Sequence, residues 1–529
     1  MLRKLYIIIF IILSVTIFSQ SQVNIDWVKT YSNGTTDTVM RAIDMAIDDS
    51  GAIYITGLGC SNIPNTTDIV IVKYDSQGNQ KWVNRFNKGG TSTFNKPNSI
   101  KIDSAGNVYV AGVSTFGMLT LKYSSVGNLI WDKSYASANL NEAHDLEVDN
   151  SGNVYTTGIS DYNGITCLHT TLKYNSSGNM LWMVNDTFNV AGGYGLSHLT
   201  LDKYNNVFVL FRSFDTLYYA CKTIKYNTAG TKQWEQIYLG SNLLSGATPV
   251  DVQIDNNSNV LVQVYDRKIG YVVVKYSNNG GLNWISKYDN DTSSVFINSC
   301  LPSAMAIDGN DNVFQTGTVY PWYGGLDAFC TIKTNSIGNN IWIKNHTDSC
   351  LNWDMAYDIA TDGSNNIYVT GLSCDDSTDN DIVTLRYDQN GNVNWKSRYQ
   401  NVNSEEGYKV KVSPDGSVYA FGIQYVVNSN YRSQFVLIKY IQNLLGINEY
   451  TNGLNAVIYP NPNSGSFTIQ TKGDVVLEIV NELGQVVRNI KLDASNNHQT
   501  NITGLADGVY CLKDKLSGTI VKNKIVVVR

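Results

Sequence analysis

The chain has 529 residues, 43% hydrophobic and only 16% charged, with a formal charge of −6 at pH 7. No half of it is strongly basic, which excludes a protein that tracks nucleic-acid phosphates. Eight Glu against 37 Asp, with 34 Tyr and 43 Gly, disfavours long helices and points to a large all-β protein of strands and tight turns.

Residues 1–22 read as a signal peptide. Arg3 and Lys4 precede an apolar run of 14, Leu5 to Phe18, and Ser19 to Gln22 are polar. That run is too short to cross about 30 Å of hydrocarbon as a helix, so cleavage after export is expected. Export permits disulfides, but eight cysteines in this length are too few to form the scaffold.

A repeat then occupies residues 23–441. Trp27, Trp82, Trp131, Trp182, Trp234, Trp284, Trp342 and Trp395 recur at intervals of 49 to 58. In the last seven units a glycine lies four residues earlier, from Gly78 to Gly391. Upstream of each glycine an alternating run ends in a basic residue and usually Tyr, as in Lys73-Tyr74 and Lys122-Tyr123; Lys333-Thr334 is the variant. A third element is an apolar residue and Asp, a polar turn, then Val or Ile and usually an aromatic, as in Ile102-Asp103 with Val108-Tyr109. Each unit therefore predicts four short strands with period-2 alternation; in unit two these fall near 98–103, 107–113, 118–123 and 128–135.

A single four-stranded sheet cannot bury both faces, whereas radial repetition lets neighbours cover one another. The expectation is an all-β fold, an eight-bladed β-propeller. The chain enters on an orphan fourth strand, 24–31, and leaves the array after a third strand, 434–441, so the first strand completes the last sheet. The Trp is expected to cover the neighbouring sheet, the Asp to bond turn amides, and the basic residue to lay its stem on the sheet with its head in solvent.

The pieces Asp103 to Gly112, Leu121-Lys122-Tyr123 and Gly127 to Trp131 resemble the secreted propeller repeats called SBBP repeats, a family named for seven blades. Two other propeller families are similar in part. Asp75, Gly78 and Trp82 are like the quinoprotein tryptophan-docking motif but one residue shorter, and Ser277 to Trp284 is like the sialidase Asp box with Asn for Asp. No C-x-x-C-H haem site, Gly-x-Ser-x-Gly elbow, phosphate loop or HExxH occurs, and the five histidines have no metal spacing.

Residues 442–455 read as a linker, and 456–529 as a small β-sandwich of about seven strands. Tyr459-Pro460-Asn461-Pro462 with Gly465, then Gly484, and Gly508 with Tyr510 stand in order before a basic-apolar end. This pattern resembles the type A C-terminal sorting domain of the bacterial type IX secretion system. The resemblance implies passage across the outer membrane, the type IX machinery as partner, frequent removal of the domain, and attachment to surface lipopolysaccharide.

In such a propeller the links between second and third strands share a face with the links between blades. Tyr320, Trp322, Tyr323 and Trp353 fall in these links, beside Asp375, Asp376, Asp379 and Asp381. Aromatic platforms with nearby carboxylates suit sugar stacking or a bound cation; loop self-packing with a solvated acidic turn is the competing reading. Cys350 and Cys374 fall on that face as a candidate disulfide, while Cys167, Cys221 and Cys330 read as buried thiols. His144 and His198 lie near innermost strands. The expectation is an exported binding scaffold for glycan or protein, with no catalytic residue, no nucleic acid and no cofactor or metal assigned, calcium being the one cation considered. The alternatives are a secreted polysaccharide-active hydrolase or lyase, and a quinoprotein-like oxidoreductase.

Overall fold

The structure is a computed structural model. It describes residues 21–22, 25–32, 37–61, 66–89, 93–164, 166–189, 195–215, 218–241, 246–289, 300–320, 327–348, 353–374, 379–401, 403–426, 432–441, 456–461, 463–481, 485–515 and 525–528. Two compact units divide the chain, 1–441 and 442–529. The expected linker, 442–455, and all but the last two residues of the expected signal peptide lie outside the described residues.

The first unit is all β among its described residues, with four-stranded antiparallel sheets compatible with a propeller. Sheet 1 is Asp37–Ile47, Ile53–Ser61, Thr67–Tyr74 and Gln80–Phe86, paired in chain order. Sheets 2 to 7 repeat this order over 95–135, 140–189, 197–238, 247–288, 300–346 and 355–399. Sheet 8 takes its first three strands from 405–440 and its fourth from Ile25–Tyr31, which runs antiparallel to Ser433–Tyr440. Ser21–Gln22 lie parallel to the fourth strand of sheet 7, with Ser21 opposite Trp395.

First strands run further than alternation predicts. In sheet 2 the strand begins at Asn95, because a bulge between Pro97 and Ser99 lets pairing continue. Gly112 faces that bulge, and a Cβ there would lie 2.1 Å from the Lys96 carbonyl oxygen. In sheet 4 Phe211 holds the equivalent place and no bulge interrupts the ladder.

The recurrent Asp is a turn former, and more. Asp103 Oδ1 accepts the amides of Ala105 and Asn107, while Oδ2 accepts the hydroxyl of buried Tyr109 at 2.9 Å. Tyr54, Tyr155 and Tyr368 repeat the bond to Asp48, Asp149 and Asp362. Each buried phenol is thus satisfied. In sheet 5 Leu261 replaces the tyrosine, and Lys275 takes the place of the phenol on Asp255 Oδ2 at 2.8 Å, beside the Asn259 side-chain amide.

The basic residue corrects one expectation. Its head is not in solvent: Lys122, Lys173, Lys225, Lys275 and Lys333 are all buried. Lys122 Nζ donates to the Ser176 carbonyl in the next sheet's hairpin at 3.0 Å, and Trp131 Nε1 donates to the same oxygen at 3.2 Å. Lys73 with Trp82, Lys173 with Trp182, Lys225 with Trp234, Lys275 with Trp284 and Lys333 with Trp342 form the same clamp one sheet on. Two lone pairs on one carbonyl accept both donors, so the ammonium stays hydrogen-bonded without water. The indole packs on the hairpin glycine; at Gly127, whose φ is +90°, a Cβ would meet Trp82 at 2.9 Å. Glycine serves there for both backbone and space.

The second unit has seven strands among its described residues: a three-stranded sheet with Val457–Tyr459, Ser466–Gln470 and Gln499–Thr503, and a four-stranded one with Val475–Val480, Val486–Leu492, Gly508–Asp514 and Ile525–Val527. Phe467, Ile469, Leu477, Ile479, Leu492, Leu512 and Ile525 form its buried core. The Tyr459-Pro460 bond is cis. Asn461 Oδ1 accepts the Val526 amide at 2.8 Å, Asn463 Oδ1 accepts the Gly465 amide, and Tyr510 donates to the Ala506 carbonyl. The Asn461 bond ties the Pro-Asn motif to the final strand. Pro462 and Gly484 lie outside the described residues.

Candidate binding face and channel

In each antiparallel sheet, second and fourth strands end on the side where third strands and the next sheet begin. Tyr320 and Trp353 lie on that side. Tyr320 is half-buried at the end of a strand, and Trp353 is 56% exposed with a φ of +54°. Trp322, Tyr323, Asp375, Asp376 and Cys350 lie outside the described residues. Cys374 is disulfide-bonded, and Cys167, Cys221 and Cys330 are buried free thiols.

Asp381 is not a solvated turn residue. It is buried and paired with Arg398, which also binds Asp348 beside Lys396. Against burial, the nearby His346 ring at 3.5 Å and the hydrogen-bonded Lys396 hold the Asp348 carboxyl well below its ordinary range. Next to it, Glu405 is fully buried. Its Oε2 accepts the Asn401 amide at 3.1 Å and its Oε1 has no partner. Burial, then the charges of Asp381 and Asp379, push its carboxyl up to about 7.

Two hollows open on this side. The first, about 530 Å³, is lined by Val39, Arg41, Ile43, Tyr408, Ile423 and Tyr425 between sheets 8 and 1. Tyr357 packs on Tyr408 with ring centres 5.2 Å apart, and Glu406 accepts the hydroxyls of Tyr408 and Tyr425. Arg41 is exposed at the rim. The second, about 900 Å³, is lined by Phe94, Phe116, Leu140, Ser137, Asn139 and Glu142 of sheets 2 and 3. Both phenylalanines are nearly half exposed.

A polar cavity of about 730 Å³ is lined by first-strand residues of all eight sheets. Asp44 Oδ2 accepts the Ile100 amide, Asp145 Oδ2 that of Leu199, Asp251 Oδ2 that of Met305, and Asp358 Oδ2 that of Val410. Each carboxylate reaches from an odd sheet to the next even one. The even sheets carry Ser99, His198, Ala304 and Lys409 at the equivalent ladder position. Asp358 chiefly holds the Lys409 ammonium charged, with Asp44, Asp251 and Asp145 adding to it. Burial pushes the Asp251 carboxyl up, and His198 opposes this. His144 and His198 both line the cavity, and His144 Nδ1 accepts the Ser197 amide at 3.0 Å. Burial lowers the His144 imidazole to about 4.

The aspartate ring and the Tyr357–Tyr408–Glu406 group were both absent from the sequence reading. The ring had a signal: Asp44/Asp48, Asp145/Asp149, Asp251/Asp255 and Asp358/Asp362 repeat one spacing in alternate units. The tyrosines had none, since Tyr357 and Tyr408 occupy bulge positions where alternation fails. Among the described residues no group of His, Cys, Asp or Glu has metal-binding geometry.

Residues 457–528 match the family model of the secretion system C-terminal sorting domain. That domain marks the chain for the type IX secretion machinery and for export to the cell surface or the extracellular space. No curated protein matches the chain. Among solved structures, it is similar to a Bacteroides caccae protein of unknown function (15% identity, 52% of this chain and 90% of that one, TM-score 0.31). It is also similar to a protein of unknown function from Dyadobacter fermentans (10%, 58% and 98%, TM-score 0.35). A third is a mutant puromycin hydrolase complexed with PGG (9%, 73% and 58%, TM-score 0.40). All three TM-scores are below 0.5 and carry no weight for function.

Proposed function

We propose that the exported chain is a binding scaffold: a closed eight-bladed propeller of the SBBP type that presents its link-bearing face to a glycan or protein at the cell surface. Closure is supported by the pairing of Ile25–Tyr31 with Ser433–Tyr440 and by Lys439 Nζ donating to the Ser76 carbonyl at 3.2 Å. It is also supported by the Ser433 hydroxyl bonding both the amide and the carbonyl of Met40.

The observation that carries the binding reading is the Tyr357–Tyr408 pair with Glu406, of which Tyr408 lines the open hollow together with Tyr425 and Arg41. Tyrosine faces stack on sugar C–H surfaces, and the carboxylate and Arg41 offer an acceptor and donors for hydroxyls. Tyr320, Trp322, Tyr323, Trp353, Asp375 and Asp376 extend the same face in this reading, and a Cys350–Cys374 disulfide braces it. Residues 1–22 act as the signal peptide, and the C-terminal domain is removed on the surface with attachment to lipopolysaccharide.

A glycan array on the secreted chain tests the proposal. Binding is expected, and Tyr408→Ala with Tyr357→Ala should abolish it while the far-ultraviolet spectrum and melting temperature hold. Binding retained in that double variant removes the platform. Binding retained in Trp322→Ala with Trp353→Ala removes the extension.

A further inference from the structure

A second chemistry sits on the same face, between sheets 4 and 5. Arg212 lies on the second strand of sheet 4, Val207–Asp215, and its guanidinium carbon is 3.5 Å from the ring centre of Tyr219 on the third strand. Arg267, on the exposed turn between the second and third strands of sheet 5, reaches the same ring at 5.7 Å. Two cations thus share one aromatic ring, and Lys268 follows on the same exposed turn.

Neither guanidinium has a hydrogen-bonded or ionic protein partner among the described residues. Arg212 Nε is buried with no acceptor. The adjacent carboxylate is already spent: Asp266 Oδ1 accepts the Lys268 amide, and Oδ2 accepts the Tyr238 hydroxyl and the Ser241 amide. Gly195 and Gly246 bring the inter-sheet links against the pair. A Cβ on Gly195 would sit 3.0 Å from the Arg212 side chain, and one on Gly246 would sit 3.0 Å from that of Tyr219.

Two like charges held together, one with a buried unsatisfied donor, are costly unless an anion joins them. Stacking occupies the face of a guanidinium and leaves its N–H edge for an in-plane acceptor, the geometry that recognises oxyanions. We propose that Arg212 and Arg267, over Tyr219, form an oxyanion subsite that takes the carboxylate or sulfate group of an acidic glycan. The inference rests on the glycan-binding reading and names the substrate class within it.

Calorimetric titration of the full secreted chain tests it, with polygalacturonate for the carboxylate arm, dextran sulfate for the sulfate arm, neutral dextran, and inorganic sulfate. Acidic polymers should bind at least about tenfold more tightly than dextran, and Arg212→Gln or Arg267→Gln should each lose about tenfold or more. Arg267 is on an exposed turn, so its variant reports binding without a folding defect. Lys203→Gln, an exposed cation on the opposite end of sheet 4, should leave affinity unchanged, and added salt should weaken binding. Wild-type affinity in both arginine variants, or equal affinity for dextran, overturns the subsite. If glycans bind and only Tyr408→Ala with Tyr357→Ala abolishes this, the general reading stands and the subsite falls. If inorganic sulfate binds in an arginine-dependent way while no polymer does, the subsite stands and the glycan reading falls.

Discussion

The junctions leading out of sheets 1 to 6 and the junction between sheets 7 and 8 each pair a tryptophan with a basic residue, lysine at the six and Arg386 at the seventh, with different results. At the first six, a lysine and a tryptophan share one carbonyl in the next sheet's third hairpin. Sheet 8 has no such hairpin, because its fourth strand comes from the other end of the chain. Trp395 is only 2% exposed, yet its Nε1 has no partner, and Arg386 Nε is likewise buried and unsatisfied. The difference separates two roles of the tryptophan: apolar cover persists where the hydrogen bond has no acceptor.

Removing Ile25–Tyr31 is the largest test of that contrast. It strips sheet 8 of its fourth strand and should abolish the cooperative melt and sharply raise proteolytic cleavage. An unchanged melting curve argues against closure. Next in size, Trp131→Ala should cost about 3–5 kcal/mol, the range for truncating a large buried aromatic. Trp395→Ala should cost at least as much in denaturant unfolding, because the ring is more deeply buried. Phenylalanine sharpens the comparison: Trp395→Phe should be milder than Trp131→Phe, since it removes an N–H that bonds nothing. Smaller again, Lys122→Met should cost about 1.5–3 kcal/mol for a hydrogen bond from a charged donor, while Arg386→Met should be near neutral.

The last effect is a pH dependence. Glu405 has its carboxyl raised from an ordinary 4.5 to about 7 in the folded chain, so between those values the native state holds a proton that the unfolded state has lost. Its contribution therefore destabilises as pH rises from 4.5 to 7 and levels off above. Glu405→Gln should raise the melting temperature above pH 7 and leave it unchanged below 4.5. A uniform shift across that range would assign the effect to packing.

The repeat was legible because tight turns and alternating strands impose residue types at fixed spacing, so Gly127, Asp103 and Trp131 announce themselves. Inter-sheet chemistry was not. Lys122 alternates like a surface residue, and the neighbour's Ser176 carbonyl, with the Tyr109 ring beneath the ammonium, makes its burial tolerable. Tyr357 and Tyr408 come together from bulges in different sheets, and Arg212 and Arg267 from residues 55 apart in sequence, so neither group leaves a local pattern. The sorting domain was the clearest part, since its Pro-Asn and Gly-x-Tyr motifs are contiguous.

The carboxylates at Asp44, Asp145, Asp251 and Asp358 recur on every second sheet, each on a first strand. Each odd sheet grips the even one after it, and no even sheet carries an aspartate there to grip back. The clamps of lysine and tryptophan join sheets of either parity, so it is only along the first strands that the repeating unit is a couple of sheets. Engineering that lengthens or shortens the array should respect this parity: excising 140–238 removes one whole couple and keeps the alternation, whereas excising 140–189 alone sets two even sheets side by side with no carboxylate across their seam.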